Sequence, residues 1–286
     1  MLWRVRPPII VDTVEKIKQL RSKYNYSIIL LRQLVITDFK LRYKGSVLGY
    51  LWSLLRPLAL FAVLYVVFVQ FLRFGAGVPH FAVSLLLGVI LWNYFTEVTM
   101  NGLSAIVGRG DMMRKLAFPR YVIVMAGSFS ALINLAINMV VITFFIIING
   151  VVIHWSALIA IPLIIELFVL GLSVAFLLSA MYVKFRDISY IWEVILQMGF
   201  YATPIIYPIS MVIEKSQMAA QIMMLSPVAQ ITQDMRAAVI SSDTPTIMTM
   251  FGNPYLYSVP ILIIVALAVG SSIYFKKKSP GFAENV

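Results

Sequence analysis

A chain of 286 residues with 61% apolar and only 12% charged residues differs from a soluble domain, in which about a quarter of residues are charged. This composition excludes an ordinary soluble enzyme, and the absence of cysteine excludes disulfides and thiolate metal sites. In so apolar a chain, the net charge of +11 indicates basic segments that flank the membrane and contact anionic lipid. A nucleic-acid partner is not expected.

The N-terminal segment, residues 1–49, is basic and too polar to cross a membrane. Within it, residues 27–45 place Gln33, Thr37 and Lys40 on one side of a helix, with apolar residues on the other. The pattern predicts an amphipathic helix lying in the cytoplasmic membrane surface. A basic flank that only fixes membrane topology is the alternative interpretation.

The membrane domain is predicted at residues 50–275, followed by a cytoplasmic tail at 276–286. About 20 apolar residues cross a bilayer as a helix, and six segments of suitable composition occur. These segments lie at about 50–72, 81–107, 121–149, 156–183, 190–206 and 256–275. We therefore predict an all-α membrane protein with six transmembrane helices, of which the fifth is short because Thr203-Pro204 breaks it.

The connection between the fifth and sixth segments is long and punctuated by proline. Its stretches 209–225 and 228–240 are too apolar for a solvated loop. We predict two short helices that enter the bilayer from the outside and return, covered by neighbouring helices.

Lysine and arginine fall almost entirely before the first segment, in the second and fourth connections, and at the C-terminus. The exceptions are Arg56, Arg73, Lys215 and Arg236. Because positive charge marks the cytoplasmic face, both termini and both basic connections are predicted in the cytoplasm.

Polar residues recur at helical spacing on three of the apolar segments. They are Asn93, Glu97 and Asn101 on the second, Asn134 and Asn138 on the third, and Glu193, Gln197 and Tyr201 on the fifth. Such faces avoid lipid, so they line a water-filled path or hold helices together. Arg56 and Glu97 fall in the same half of the membrane and are predicted as a possible pair.

The second connection, residues 108–120, has room for one short helix. Asp111 falls near its start and Arg114 and Lys115 near its end, as the helix dipole favours. The connection also carries the apolar residues Met112, Met113, Leu116 and Phe118. These either dock into another protein or rest on the membrane surface.

Catalytic and metal sites are predicted to be absent from this chain. No ATP-binding P-loop of the pattern G-x-x-x-x-G-K-[ST] occurs, and His80 and His154 lack partners at metal-ligand spacing. The rival from another class is a membrane-embedded glycosyl- or acyltransferase, which needs paired acids or a histidine beside a carboxylate. Glu97, Asp187 and Glu193 are available for this chemistry but form no compact motif.

Three stretches carry a resemblance to a known family: DFKLRYKGSVLGYLWSLLRPL (38–58), RKLAFPR (114–120) and VKFRDISYIWEVILQMGFYATPIIYP (183–208). With them the chain resembles the membrane subunits of ABC-2-type exporters, specifically the permeases that handle O-antigen, capsule and wall teichoic acid. The resemblance extends over nearly the whole chain from about residue 27.

The resemblance implies a multi-pass homodimer in the bacterial cytoplasmic (inner) membrane, joined by two copies of a separate ABC ATPase. This chain would be a transport subunit without enzymatic activity or a cofactor of its own, and ATP and Mg would bind the ATPase. Its cargo would be a lipid-linked glycan, and its other contacts membrane lipids. A drug or small lipid is the alternative cargo.

The resemblance also implies roles for particular residues. The second connection would be a coupling helix that docks into the ATPase through residues 111–118. A substrate channel would be lined by Phe61, Tyr65, Phe68, Gln197, Phe200 and Tyr201, and the short outer helices would form its exit gate. At the inner mouth, Arg186 would contact a lipid diphosphate, unless it only fixes topology and caps a helix.

Overall fold

The structure is a computed structural model that describes residues 26–38, 40–41, 44–46, 48–115, 118–252 and 254–282. Over these ranges the chain forms helices and turns and no strand, which confirms the all-α prediction. Most of the N-terminal segment and the end of the predicted tail lie outside the described residues.

Twelve α-helices follow one another in the described part of the chain. The first six are α1 (26–38), α2 (Trp52–Leu64), α3 (Phe81–Ala105), α4 (Gly110–Lys115), α5 (Tyr121–Ile148) and α6 (Ala160–Tyr182). The others are α7 (Ile188–Ala202), α8 (Ile209–Lys215), α9 (Gln217–Met224), α10 (Pro227–Val239), α11 (Ile247–Phe251) and α12 (Ser258–Lys278). A π-helix, Tyr65–Phe71, continues α2 without a break.

Five helical segments in the described residues are long and apolar enough to cross a membrane. They are Trp52–Phe71, Phe81–Ala105, Tyr121–Ile148, Trp155–Tyr182 and Tyr255–Gly281. The predicted fifth segment is α7, which has 15 residues and is only about 22 Å long at 1.5 Å per residue. The chain is therefore a multi-pass membrane protein, and the sixth crossing stays a prediction.

Helix α3 forms the centre of the bundle and is buried along most of its length between α5 and α6. Its contact with α6 is unusually close at Gly102, where an added Cβ would lie 2.2 Å from the Cβ of Ala175. Only glycine allows this approach, which fixes the rotation of α3 against α6.

Helices α2 and α7 lie at the edge of the bundle. Only Ser53 and Pro57 are buried on α2, and only Leu196 is buried on α7. A single copy of the chain therefore leaves most of both helices uncovered.

The outer connection differs in detail from its prediction. The stretch 209–225 is two helices, α8 and α9, because the backbone is extended at Ser216 (φ −161°, ψ 107°). The Ser216 side chain accepts a hydrogen bond from the Ala219 N–H and caps α9, an N-terminal role typical of serine. Helix α10 lies over the predicted 228–240, and α11 was not predicted.

Helix α1 packs on the beginning of α5. Leu34 forms a buried cluster with Val122 and Ala126, and Met112 of α4 packs against it. Asp38 of α1 forms an ion pair with Arg109, just before α4. Through these contacts α1 is joined to the connection that contains α4.

Candidate functional site

A cavity of about 680 Å³ lies between α2, α3, α5 and α7, and it reaches from the beginning of α2 to the middle of α5. Trp52 lines it, and its polar lining residues are Ser53, Arg56, Asn93, Tyr94, Thr96, Glu97, Asn101, Asn134, Asn138 and Glu193. We call it the amide cavity, because asparagine is the most frequent polar residue in its lining.

Helix geometry explains why these residues meet. Asn93, Glu97 and Asn101 are four residues apart and share one face of α3, and Asn134 and Asn138 share one face of α5. Arg56 lies about 6 Å along α2 from its start, and Glu97 about 12 Å from the end of the antiparallel α3. Arg56 and Glu97 therefore lie in the same half of the bundle, whereas Asn134 and Asn138 extend the polar lining to the middle of α5.

A hydrogen-bond network joins α3 and α5 across the amide cavity. The Nδ2 atom of Asn134 donates to Oε2 of Glu97 at 2.7 Å, and Nδ2 of Asn138 donates to the Asn134 carbonyl oxygen at 2.8 Å. Arg56 and Glu97, predicted as a possible pair, line the same cavity, and their pairing stays a prediction.

Two hydroxyl groups in the lining have no hydrogen-bond partner among the described residues. They are the phenol of Tyr94, a residue that is 3% exposed, and Oγ1 of Thr96. A buried hydroxyl without a partner is unfavourable by about 1–3 kcal/mol, so these groups are available for a ligand or water. These two hydroxyl groups were not predicted as site groups, because the neighbouring amides and acids dominate the polar stripe.

The six predicted channel residues separate into two groups. On the α2 side, the Phe61 ring lies 6.0 Å from that of Phe145 on α5, and Gln70 donates a hydrogen bond to the Tyr65 hydroxyl at 3.0 Å. Phe68 packs against Phe74, with ring centroids 5.3 Å apart.

On the α7 side, Phe200 packs 6.1 Å from Trp92 of α3, whereas Tyr201 is 58% exposed and Gln197 is also exposed. Tyr201 and Gln197 therefore lie on the uncovered face of α7. The channel role of both groups stays a prediction.

The predicted coupling residues lie on and after α4. Asp111 is exposed, while Met113 is buried and Phe118 packs against the core of the same chain. Leu116 and the side chains of Arg114 and Lys115 lie outside the described part. Asp111 is thus the described residue of this group that is most available to a partner.

Arg186 lies in the exposed turn between α6 and α7. Its guanidinium is 5.2 Å from the centre of the Tyr182 ring, a cation–π distance. The turn thereby presents its positive charge at the same end of the bundle as α4, and the predicted contact with a diphosphate is untested.

Arg236 of α10 is a buried arginine that the sequence did not identify as a site residue. It is 3% exposed and donates to the carbonyl oxygens of Ser84 (3.0 Å), Pro204 (2.6 Å) and Ile205 (2.9 Å). Burial lowers its pKa to about 10, so it stays protonated at neutral pH. Arg236 therefore ties α10 to α3 and to the turn after α7. An isolated cation in an apolar outer segment was the only signal in the sequence.

Two carboxyl groups, those of Asp234 on α10 and Glu166 on α6, lie close together. Gln230 is fully buried, and its Nε2 donates to Oδ2 of Asp234 at 2.7 Å, while Glu166 of α6 lies near both side chains. Burial raises the pKa of Asp234, and the hydrogen bond from Gln230 opposes this shift. The amide and the two acids therefore lie together where α10 faces α6.

Comparison with known proteins decides the family. A family model described as ABC-2 type transporter matches residues 29–240. The chain belongs to the ABC-2 type transporter family. The match includes α1, the amide cavity and Arg236, and leaves α11 and α12 outside.

Individual known proteins are similar to this chain over most of its length. A protein named O-antigen export system permease protein RfbA from Klebsiella pneumoniae is 31% identical over 201 residues, covering 68% of this chain and 76% of its own length. A protein of the same name from Myxococcus xanthus is 27% identical over 270 residues, covering 94% of this chain and 100% of its own length.

Proposed function

We propose that this ABC-2 permease is the transmembrane subunit of an ATP-driven exporter of a lipid-linked polysaccharide, of the O-antigen or teichoic-acid type. One observation carries the proposal: the similarity to an O-antigen export permease extends along 94% of the chain and the whole of that relative. The amide cavity supports it, because a polar cargo requires polar groups inside an otherwise apolar bundle.

The proposed topology has six crossings with both termini in the bacterial cytoplasm. Helix α7 is the fifth crossing, and its length of about 22 Å is short of the roughly 30 Å of hydrocarbon. The short helices α8–α11, which follow a turn at Thr203, complete this crossing from the outer side as a re-entrant exit gate. The basic flanks of α2, α5 and α12 set the orientation.

A second copy of the chain covers α2 and α7 in this proposal. On α7, Glu193 and Gln197 are exposed in a single copy at a depth where polar side chains avoid lipid. A homodimer interface along α2 and α7 shields them and forms a channel, with Phe61, Tyr65, Phe68, Phe200 and Tyr201 as its aromatic lining.

A separate ABC ATPase, present in two copies, supplies the energy by binding ATP and Mg. It docks on α4, and closure of its two copies moves α4 together with α1, which is joined to it by Met112 and the Asp38–Arg109 pair. Movement follows only if the two nucleotide states contact α4 differently. Arg186 meets the diphosphate of the lipid carrier at the inner mouth.

Depletion of the chain in the organism that makes it tests this function. We expect surface polysaccharide to disappear and lipid-linked glycan to accumulate on the cytoplasmic side, with recovery on re-expression. Unchanged surface polysaccharide combined with altered drug sensitivity would instead assign the permease to drug efflux.

Docking of the ATPase is tested at Asp111, because its exposed side chain is changed without disturbing the core. Asp111→Lys is expected to reduce co-purification of the ATPase and stimulation of its activity. Asp243→Lys, the same charge change at an exposed outer position, is the matched control. Equal co-purification of both variants would contradict docking at α4.

A further inference from the structure

The lining of the amide cavity matches sugar hydroxyl groups in its chemistry. Each asparagine amide offers both donors and an acceptor, and a sugar hydroxyl likewise donates and accepts. Four such amides converge, from Asn93 and Asn101 on α3 and from Asn134 and Asn138 on α5. Trp52 adds an aromatic surface at the edge of the cavity, half exposed, suited to the apolar face of a sugar ring.

The charge of the lining is unsuitable for a diphosphate. Glu97 and Glu193 supply two carboxylates, and Arg56 is the one cation among the described residues that line the cavity. A diphosphate bound here would lie close to both carboxylates, and like charges in a poorly solvated site repel strongly. Phosphate sites usually combine arginine, lysine or helix N-termini, whereas this lining combines amides and carboxylates.

Two unused hydroxyl groups point to a ligand independently of this charge argument. The Tyr94 phenol and Oγ1 of Thr96 are buried in the lining and lack partners among the described residues. A neutral ligand that is rich in hydroxyl groups satisfies both without bringing charge. The volume of about 680 Å³ falls within the range of roughly 300–1,000 Å³ typical of small-ligand sites, so a short stretch of a glycan fits.

We propose that the amide cavity binds neutral sugar residues of the exported glycan through hydrogen bonds, and that the diphosphate of the carrier is held elsewhere. This inference rests on the proposed function and assigns the cavity a role in glycan recognition. Tyr94 and Thr96 are its specificity-determining hydroxyls, and the Glu97–Asn134 hydrogen bond holds the two walls of the cavity in position.

Binding to the purified full chain in lipid nanodiscs tests the proposal, measured by saturation-transfer NMR. The probes are the glycan released from the organism's own lipid carrier by mild acid, and inorganic pyrophosphate. We expect saturable transfer to the glycan, weakened about three- to tenfold in Tyr94→Phe and in Thr96→Val, since each loses one hydrogen bond. Both substitutions remove a hydroxyl without a described partner, so the fold is expected to persist. Tyr190→Phe, at an exposed tyrosine outside the cavity, is the control.

Three outcomes overturn the inference. They are an absence of saturable glycan binding to the wild-type chain, equal binding by wild type and both cavity variants, and pyrophosphate binding that Arg56→Gln abolishes. The first two would leave water as the partner of the hydroxyls. The depletion experiment separates this failure from that of the proposed function, because surface polysaccharide would still depend on the chain if only the sugar site were wrong.

Discussion

Replacing Arg236 by methionine keeps much of the side-chain volume and removes the guanidinium. Three carbonyl oxygens, those of Ser84, Pro204 and Ile205, then lose their donor in a buried position. Because these carbonyls belong to α3 and to the turn after α7, the substitution breaks the connection between α10 and the rest of the bundle.

The magnitude follows from the three hydrogen bonds and the burial. A hydrogen bond to a charged group contributes about 1.5–3 kcal/mol, and desolvation of the arginine offsets part of the sum. Removing one partner from a buried charged network typically costs about 3–5 kcal/mol, which we take for Arg236→Met. Arg236→Lys retains the charge but lacks the planar fork, so we expect an intermediate loss.

Thermal unfolding of the purified chain in detergent measures this loss. We expect the apparent Tm to fall on the order of 10 °C in Arg236→Met, and by little in Lys215→Met, at an exposed lysine of α8. Gly88→Ala tests the position of the same guanidinium from the α3 side, because the added Cβ would lie 2.7 Å from Nη2 of Arg236. A difference of less than about 2 °C between Arg236→Met and the Lys215→Met control corresponds to about 0.5 kcal/mol. Such a result would refute the stabilising role of Arg236.

Three further predictions concern other contacts. Burial raises the pKa of Asp234, so its contribution to stability is present at low pH and declines as pH rises through the folded-state pKa. Asp234→Asn should flatten this pH dependence of the melting temperature, whereas Asp243→Asn, at an exposed position, should leave it unchanged. Asp38→Arg and Arg109→Asp should each weaken ATPase stimulation, and the double exchange should restore it; absence of rescue contradicts the ion pair. Gly102→Ala should separate α3 from α6 and lower stability by about 1–3 kcal/mol, seen in chemical unfolding.

Much of the architecture was predictable because each membrane helix is encoded by its own continuous run of apolar residues. Helix α3 begins at Phe81 and α5 at Tyr121, where the apolar segments were predicted to begin. The break at Ser216 was missed, since an apolar stretch with good helix formers carries little sign that one serine adopts an extended backbone. The sixth crossing stays a prediction for a related reason: α7 is short, and its depth depends on neighbours outside a single chain.

The site was predictable only in part. The polar stripes on α3 and α5 were visible as residues four apart, and their orientation away from lipid follows from the cost of polar groups in hydrocarbon. Which stripes meet was not visible, so the contact of Glu97 with Asn134 had to come from the structure. The same holds for Met113 and Phe118, for which composition left a protein partner and the membrane surface open, and which pack against their own chain.

The all-helical membrane architecture follows from the amino-acid sequence alone, because an apolar segment in a bilayer must satisfy its backbone hydrogen bonds within the segment, whatever surrounds it. The rotation of the helices against one another is visible only in the folded chain. That rotation depends on close contacts between distant residues, such as Gly102 on Ala175 and Arg236 beside Gly88, and no local pattern in the chain encodes which pair will touch.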